Sequence, residues 1–157
     1  MLIRWATPED IPAWLALSRE YDECISELTG DMALWYDGFD VYMDRKIAQR
    51  EALIAAGRET CLGLTAFSRM YNRITFFGLS HAADERAAEA LMAAALRELD
   101  PSRAVTVNTP KGSSPKLQNE KRFLESQGFA LYDDTVMENG APMYGMIKQP
   151  KEDLLCQ

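Results

Sequence analysis

The chain contains a single histidine, His81, which comes directly after a short apolar run ending at Leu79. An imidazole has a pKa near neutrality, so it could take a proton from an ammonium group directly or through water. The competing interpretation is a half-exposed histidine at the end of a strand, with no catalytic task. His81 is therefore a candidate catalytic base whose role depends on what lies beside that strand end.

A second candidate for chemistry is an acidic and aromatic segment between Asp22 and Asp37. A carboxylate can pair with an ammonium group, and an aromatic face attracts the same cation. The segment therefore suits a small amine, and its candidate substrate-binding residues are Glu23, Glu27, Trp35 and Tyr36. The alternative is that rings such as Trp35 only cover the core.

The chain is 157 residues long, with 47% hydrophobic and 26% charged residues. A chain of this length fits one domain and can bury about 70% of its unfolded surface around one core. We expect a single domain over residues 1–150 and a C-terminal tail over 151–157. No linker, repeat or biased tract interrupts this pattern.

Charge and cysteine usage exclude several functional classes. A net charge of −7 argues against general nucleic-acid binding, which needs clustered cations. The three cysteines are widely spaced and lack a C-x-x-C pair, which argues against a disulfide framework or a metal site. The segment Met1–Trp5 turns polar at once, and no later segment approaches the roughly 20 apolar residues of a membrane span. We therefore expect a cytoplasmic protein that makes no membrane contact.

Hydrophobic periodicity predicts eleven elements in the order β, α, α, β, β, β, α, β, α, β, β. The first helix starts at Thr7 and Pro8, and an irregular region is predicted from Asp22 to Gly38. Asp84 opens the clearest helix, Ser114 and Pro115 open the last one, and Asn139-Gly140 marks a tight turn. Strands are predicted at 2–5, 52–56, 61–67, 74–79, 104–107, 129–136 and 143–147.

The last helix ends at a distinctive junction, Phe123-Leu124-Glu125-Ser126-Gln127-Gly128-Phe129. Gly128 can adopt the left-handed conformation that caps a helix, and Phe129 starts an apolar strand at once. This junction resembles the "FYEKLGF" signature near the C-terminus of GNAT-type N-acetyltransferases, and the element order is that of the GNAT fold. The resemblance implies an α/β (α+β) fold with a mixed, mostly antiparallel sheet flanked by helices.

The resemblance also implies acetyl-CoA as co-substrate, bound where the fourth and fifth strands part. Its arm would pair with backbone groups at Leu79, Ser80 and His81, and its phosphates would lie at the loop 83–89. The remaining candidate cofactor-binding residues are Asp84, Arg86, Ala87, Ala88, Glu89 and Asn108. Two plainer interpretations stay open. The loop 83–89 has no glycine, so it could serve only as a helix cap. Asn108 could serve only as a turn residue.

In the same family the tyrosine of the signature protonates the departing thiolate, a task that Leu124 cannot perform. Tyr132 and Tyr71 are the nearest substitutes in sequence, and Tyr132 is the candidate acid, although a strand tyrosine more often serves packing.

These features predict direct acetyl transfer from acetyl-CoA to a primary amine of a small molecule or peptide. The alternative is a GNAT-fold module with weakened catalysis that binds CoA or another protein. No nucleic acid or metal is expected, and a homodimer stays open.

Overall fold

The computed structural model describes residues 1–29, 38–138 and 140–150, without the side chains at positions 22, 23 and 25–29. Its helices are α1 (Ile11–Thr29), α2 (Phe39–Ala48), α3 (Glu85–Arg97) and α4 (Pro115–Ser126), with a short 3-10 turn at Pro8–Asp10. Its strands are β1 (Leu2–Trp5), β2 (Ala52–Ala56), β3 (Cys61–Ser68), β4 (Arg73–Leu79), β5 (Val105–Pro110), β6 (Ala130–Glu138) and β7 (Ala141–Lys148). The predicted order of elements is confirmed.

The described strands form one seven-stranded sheet in the order β1-β2-β3-β4-β5-β7-β6. Five neighbouring pairs are antiparallel, and only β4 and β5 run parallel. The prediction of a mixed, mostly antiparallel sheet is therefore confirmed. The parallel pair lies at the centre, where the chain crosses over through α3 before it returns as β5.

Helices cover both faces of this sheet because successive side chains of a strand point to opposite sides. On one face, Trp14 of α1 and Met43 of α2 pack in one apolar cluster with Leu64 of β3. On the other face, Leu91 of α3 packs in a second cluster with Phe67 of β3. The protein therefore has two apolar clusters, one on each side of the sheet.

Helix α4 contributes to both clusters. Leu124 near its end packs in the cluster of α3, whereas Leu117 near its start packs in the cluster of α1. Both side chains are almost fully buried, at 1% exposure each. The first turn of α4 therefore reaches the α1 side of the sheet, which requires an opening in the sheet beside β5.

One sequence prediction needs correction. The region predicted as irregular from Asp22 onward is helical through Thr29. The apolar spacing of the first helix continues at Cys24 and Leu28, and no glycine or proline occurs between Ala13 and Thr29. These features outweigh the acidic residues that suggested a loop.

The junction after α4 has the predicted geometry. Gly128 has φ +95°, and Phe129, which is 3% exposed, donates its N–H to Leu124 O at 3.1 Å. Lys148 Nζ donates to the carbonyl oxygen of Gln127 at 2.6 Å and so satisfies one of the last helical acceptors. Strand β6 begins at Ala130, one residue later than predicted.

Gly128→Ala should lower the free energy of unfolding by about 1–2 kcal/mol, because an L side chain is strained at this φ. The added methyl carbon would also stand 2.7 Å from Lys148 Nζ and disturb its bond to Gln127. Gly128→Asn is the matched variant, since asparagine tolerates left-handed backbone and should recover part of the loss. Chemical denaturation measures both, and wild-type stability of Gly128→Ala would contradict the strain.

Candidate functional site

The opening in the sheet lies between β4 and β5. These strands pair only at Arg73 with Thr106 and at Ile74 with Val107. Beyond that point β4 stays paired with β3 through Leu79, and β5 stays paired with β7 through Pro110. The two halves of the sheet therefore part, and the β4 backbone groups that face β5 have no strand partner.

Side chains of two helices take the place of the missing strand at Leu79. The Leu79 N–H donates to the hydroxyl oxygen of Tyr21 at 3.0 Å, and Lys116 Nζ donates to the Leu79 carbonyl oxygen at 2.8 Å. Lys116 Nζ also lies 3.3 Å from Glu20 Oε2 and 4.5 Å from the centre of the Tyr21 ring. Both outward-facing backbone groups of Leu79 are thus satisfied from α1 and α4.

Glu120 of α4 is the buried carboxylate of this opening. It accepts a hydrogen bond from Thr109 Oγ1 at 3.3 Å and lies close to the Tyr21 phenol. Burial raises the pKa of Glu120 to about 8, although Lys116, Thr109 and Tyr21 each act to lower it. Burial likewise raises the pKa of Tyr21 well above its ordinary range. At neutral pH the site therefore holds a mostly protonated carboxyl group beside a protonated phenol.

Two cavities meet at this pair of residues. The aromatic cavity, about 410 Å³, includes Phe39, Tyr42 and Phe76 among its walls. The loop cavity, about 560 Å³, lies between the loop after β4 and the start of α4. Tyr21 and Glu120 line both cavities. Any group transferred from one cavity to the other would pass these two side chains.

The predicted residues at the end of β4 lie at the loop cavity. Leu79, Ser80 and His81 all line it, and the buried Ser80 Oγ has no hydrogen-bond partner among the described residues. The His81 side chain is 80% exposed, and its Nε2 lies 3.8 Å from Glu20 Oε2. His81 is therefore brought to the loop cavity but not to the aromatic cavity.

The loop before α3 has the geometry of a helix cap. The Asp84 carboxylate accepts the N–H of Ala87 at 2.9 Å, so that donor is already used. Ala87 and Ala88 point into the core, at 0% and 3% exposure. Arg86 and Glu89 are exposed on the first turns of α3. None of these five residues lines the loop cavity, and Arg86 is the cation among them that solvent can reach.

Asn108 lies inside β5, which continues to Pro110, so the interpretation of Asn108 as a turn residue is wrong. It lines the aromatic cavity, and its Nδ2 donates to Glu138 Oε2 at 3.4 Å. Tyr71 also lines this cavity, at 71% exposure. Tyr132 is 53% exposed on β6 and lines neither cavity.

The four predicted substrate-binding residues give no side-chain contacts to test. Glu23 and Glu27 lie on α1, but their side chains are outside the described part of the structure. Trp35 and Tyr36 fall in 30–37, which is also outside it.

Sequence reasoning missed Tyr21 and Glu120. Tyr21 follows Trp14 at helical spacing, a pattern that is equally typical of a core residue. Glu120 lies three residues after Leu117 and four before Leu124, so it falls on the same apolar stripe of the helix. A carboxylate on an apolar stripe is the signal that could have identified it.

Within residues 1–29, 38–138 and 140–150, no helix is long and apolar enough to cross a membrane. Nor does that part of the chain bring three or more His, Cys, Asp or Glu side chains together as metal ligands.

No protein-family model matches this sequence, and no curated protein sequence matches it either. Solved structures do match. A PaiA N-acetyltransferase from Thermoplasma acidophilum in complex with coenzyme A superposes with a TM-score of 0.74 at 14% identity, covering 94% of this chain and 98% of that one. A ribosomal-protein-alanine N-acetyltransferase from Brucella melitensis gives 0.64 at 16% identity, covering 95% and 99%.

A third match is the N-acetylglutamate synthase from Neisseria gonorrhoeae complexed with coenzyme A and N-acetyl-glutamate. Its TM-score is 0.65 at 16% identity, and the match covers 96% of this chain but 35% of the synthase. At such identities the likeness concerns the arrangement of the backbone. The opened sheet and its flanking helices are therefore those of the GNAT fold.

Proposed function

We propose that this protein transfers an acetyl group from acetyl-CoA to a primary amine of a small molecule or peptide. The observation that carries the proposal is the opening between β4 and β5, with a cavity on either side and Tyr21 and Glu120 lining both. This arrangement provides separate places for a donor and an acceptor that meet at one point. The coenzyme A in the T. acidophilum structure, which has the same fold, supports this interpretation.

The loop cavity suits the donor. The unpartnered Ser80 Oγ offers a hydrogen bond to a polar ligand group, and the backbone of Leu79 offers one donor and one acceptor. A ligand arm would have to replace the Tyr21 and Lys116 bonds to use both groups of Leu79. Arg86 is exposed on α3 and free to contact phosphate.

In the proposed reaction, the nitrogen of a neutral amine forms a bond to the thioester carbonyl carbon, and the carbon–sulfur bond breaks. The nitrogen loses one proton, the leaving thiolate gains one, and an amide and a thiol result. The chain must therefore provide a proton acceptor on the amine side and a proton donor near the sulfur.

Glu120 and His81 are the two candidate acceptors of the amine proton. Glu120 faces both cavities and has a pKa of about 8, close to working pH. His81 faces the loop cavity alone and is largely in solvent. We therefore assign the base to Glu120 and retain His81 as its rival. For the donor, Tyr21 lies at the junction of the cavities, and Tyr132 remains the rival from the sequence.

A specific observation also favours the alternative function, a GNAT-fold module that binds without transfer. The groups of Leu79 that a ligand arm would use are already hydrogen-bonded, and Asp84 occupies the Ala87 N–H at the start of α3. The chain also has no glycine from Leu79 to Lys111, a range that includes the loop between β4 and α3. Binding measurements separate this module from the enzyme.

Acetyl-CoA should stabilise the folded chain by about 2.7 kcal/mol at 100 times its dissociation constant, measured as a thermal shift. Arg86→Ala should weaken acetyl-CoA binding by about 1.5–3 kcal/mol, because a charge-assisted phosphate contact is lost. Arg97→Ala, an exposed arginine at the other end of α3, is the matched control and should leave affinity unchanged. No shift at millimolar acetyl-CoA would reject the enzyme.

Glu120→Gln should lower kcat about 10²–10⁴-fold above pH 8, because an amide cannot accept the proton. The wild-type rate should rise with pH through about 8 as the Glu120 carboxylate forms. His81→Ala should keep this profile. A profile lost in His81→Ala and kept in Glu120→Gln would place the base at His81 instead.

The raised pKa of Glu120 also predicts a stability effect that is independent of activity. The unfolded chain releases this proton near pH 4.5 and the folded chain near 8, so folded stability falls across that interval. Glu120→Gln has no such proton to release, so it avoids this fall in folded stability. Its free energy of unfolding relative to wild type should therefore grow with pH by up to about 1.4 kcal/mol per pH unit. Glu125→Gln, an exposed site on α4, is the control for denaturation series at pH 5 and 8. Parallel pH dependences of wild type and Glu120→Gln would refute the shifted titration.

A further inference from the structure

Arg73, the first residue of β4, lines the aromatic cavity. Its Nε atom is buried and has no hydrogen-bond partner among the described residues. Its guanidinium also forms no ion pair within that part of the chain. Arg73 as a whole is half-buried, but burying its Nε–H without an acceptor is costly, and no described residue supplies that acceptor.

Lys46 is a buried cation whose hydrogen-bonding and ion-pair partners lie within the fold. Its side chain is 9% exposed, and Nζ donates to Phe67 O at 2.6 Å and to Glu51 Oε1 at 3.4 Å. A structural cation is thus given both a carbonyl and a carboxylate. The contrast indicates that the partner of Arg73 is not among the residues that the structure describes, which leaves its Nε available to a ligand in the cavity.

The chemistry of the cavity indicates which kind of ligand group could pair with Arg73. Among the described residues, Arg73 is the only lysine or arginine that lines it, whereas the walls include the rings of Phe39, Phe76 and Phe77. A guanidinium presents paired donors that match the two oxygens of a carboxylate. A volume of about 410 Å³ holds a small molecule with an apolar body.

Two acids, Glu120 and Glu138, line the cavity and could bind an amine. Glu138 is held by Asn108 beside the aromatic wall, and Glu120 lies with Tyr21 at the Leu79 end of β4. Arg73 is at the opposite end of the same strand. An elongated ligand could therefore place an anionic end at Arg73 and a basic end at the opening.

We propose that the aromatic cavity binds an amine that also carries a carboxylate and an apolar body, with the carboxylate paired to Arg73. The fate of the amine rests on the proposed acetyl transfer, but the recognition of the carboxylate does not. Arg73 is thus a specificity-determining residue, and an amine that lacks an acidic group is a poor ligand.

The test compares matched ligands that differ only in the acidic group: phenylalanine, leucine and methionine against their carboxamides. Calorimetric titration of the whole chain should give at least one acid that binds tenfold or more tightly than its amide. Arg73→Met should abolish that preference. Arg103→Met, an exposed arginine outside both cavities, should retain it.

Folding is checked with the same variants by chemical denaturation. Arg73→Met should be as stable as wild type or more so, because no described residue pairs with the half-buried guanidinium that it removes. Lys46→Met should be destabilised, because it leaves the buried Glu51 without its cation and Phe67 O without its donor. A destabilised Arg73→Met with an unchanged acid preference would make Arg73 a structural residue and overturn the proposal.

Equal affinity for acid and amide in all three pairs would also overturn it. An acetyl-transfer assay on the same compounds separates this result from failure of the proposed function. Carboxylate-selective binding without transfer would support the cavity assignment and reject the enzyme. Transfer without carboxylate selectivity would support the enzyme and reject the cavity assignment.

Discussion

The site depends on one constraint, namely that the outward-facing backbone groups of β4 must find partners after β5 turns away. At Leu79 these partners are the Tyr21 hydroxyl and the Lys116 ammonium. Each bond contributes only about 1 kcal/mol net, but leaving either group unpaired would cost more. The same two bonds tie α1 and α4 to the edge of the opening, where Tyr21 lines both cavities.

The protonation of Glu120 follows from this arrangement. The nearby ammonium of Lys116 is already engaged by Leu79 O and lies 3.3 Å from the Glu20 carboxylate, so its charge is shared. A protonated carboxyl group is less costly to bury than a carboxylate, and the Thr109 hydroxyl can hydrogen-bond to either form. The opening therefore contains an acid that can change its protonation near neutral pH without losing the Thr109 hydrogen bond.

The sequence predicted the architecture well because periodicity, caps and turn residues act locally. Gly128, the helix start at Asp84 and the order of elements along the chain were all available from spacing and residue type. The site was harder to predict because Tyr21, Glu120 and Arg73 come from separate elements and only tertiary packing joins them. Asn108 illustrates the difference: locally it resembles a turn residue, whereas pairing with β7 keeps it in a strand.

The opening is closed by the protein's own side chains, and this determines how a ligand would bind there. A ligand amide that pairs with Leu79 exchanges one hydrogen bond for another, so the backbone contact itself adds little affinity. Affinity must then come from groups that have no hydrogen-bond partner among the described residues, which include Ser80 Oγ on one side of the opening and Arg73 Nε on the other. Displacement of Lys116 from Leu79 O would also leave an ammonium beside Glu20 and Glu120. Because a nearby cation favours the carboxylate form, a shift of Lys116 toward or away from Glu120 would lower or raise the pKa of that acid. Occupancy of the loop cavity and the protonation of Glu120 are therefore coupled through Lys116.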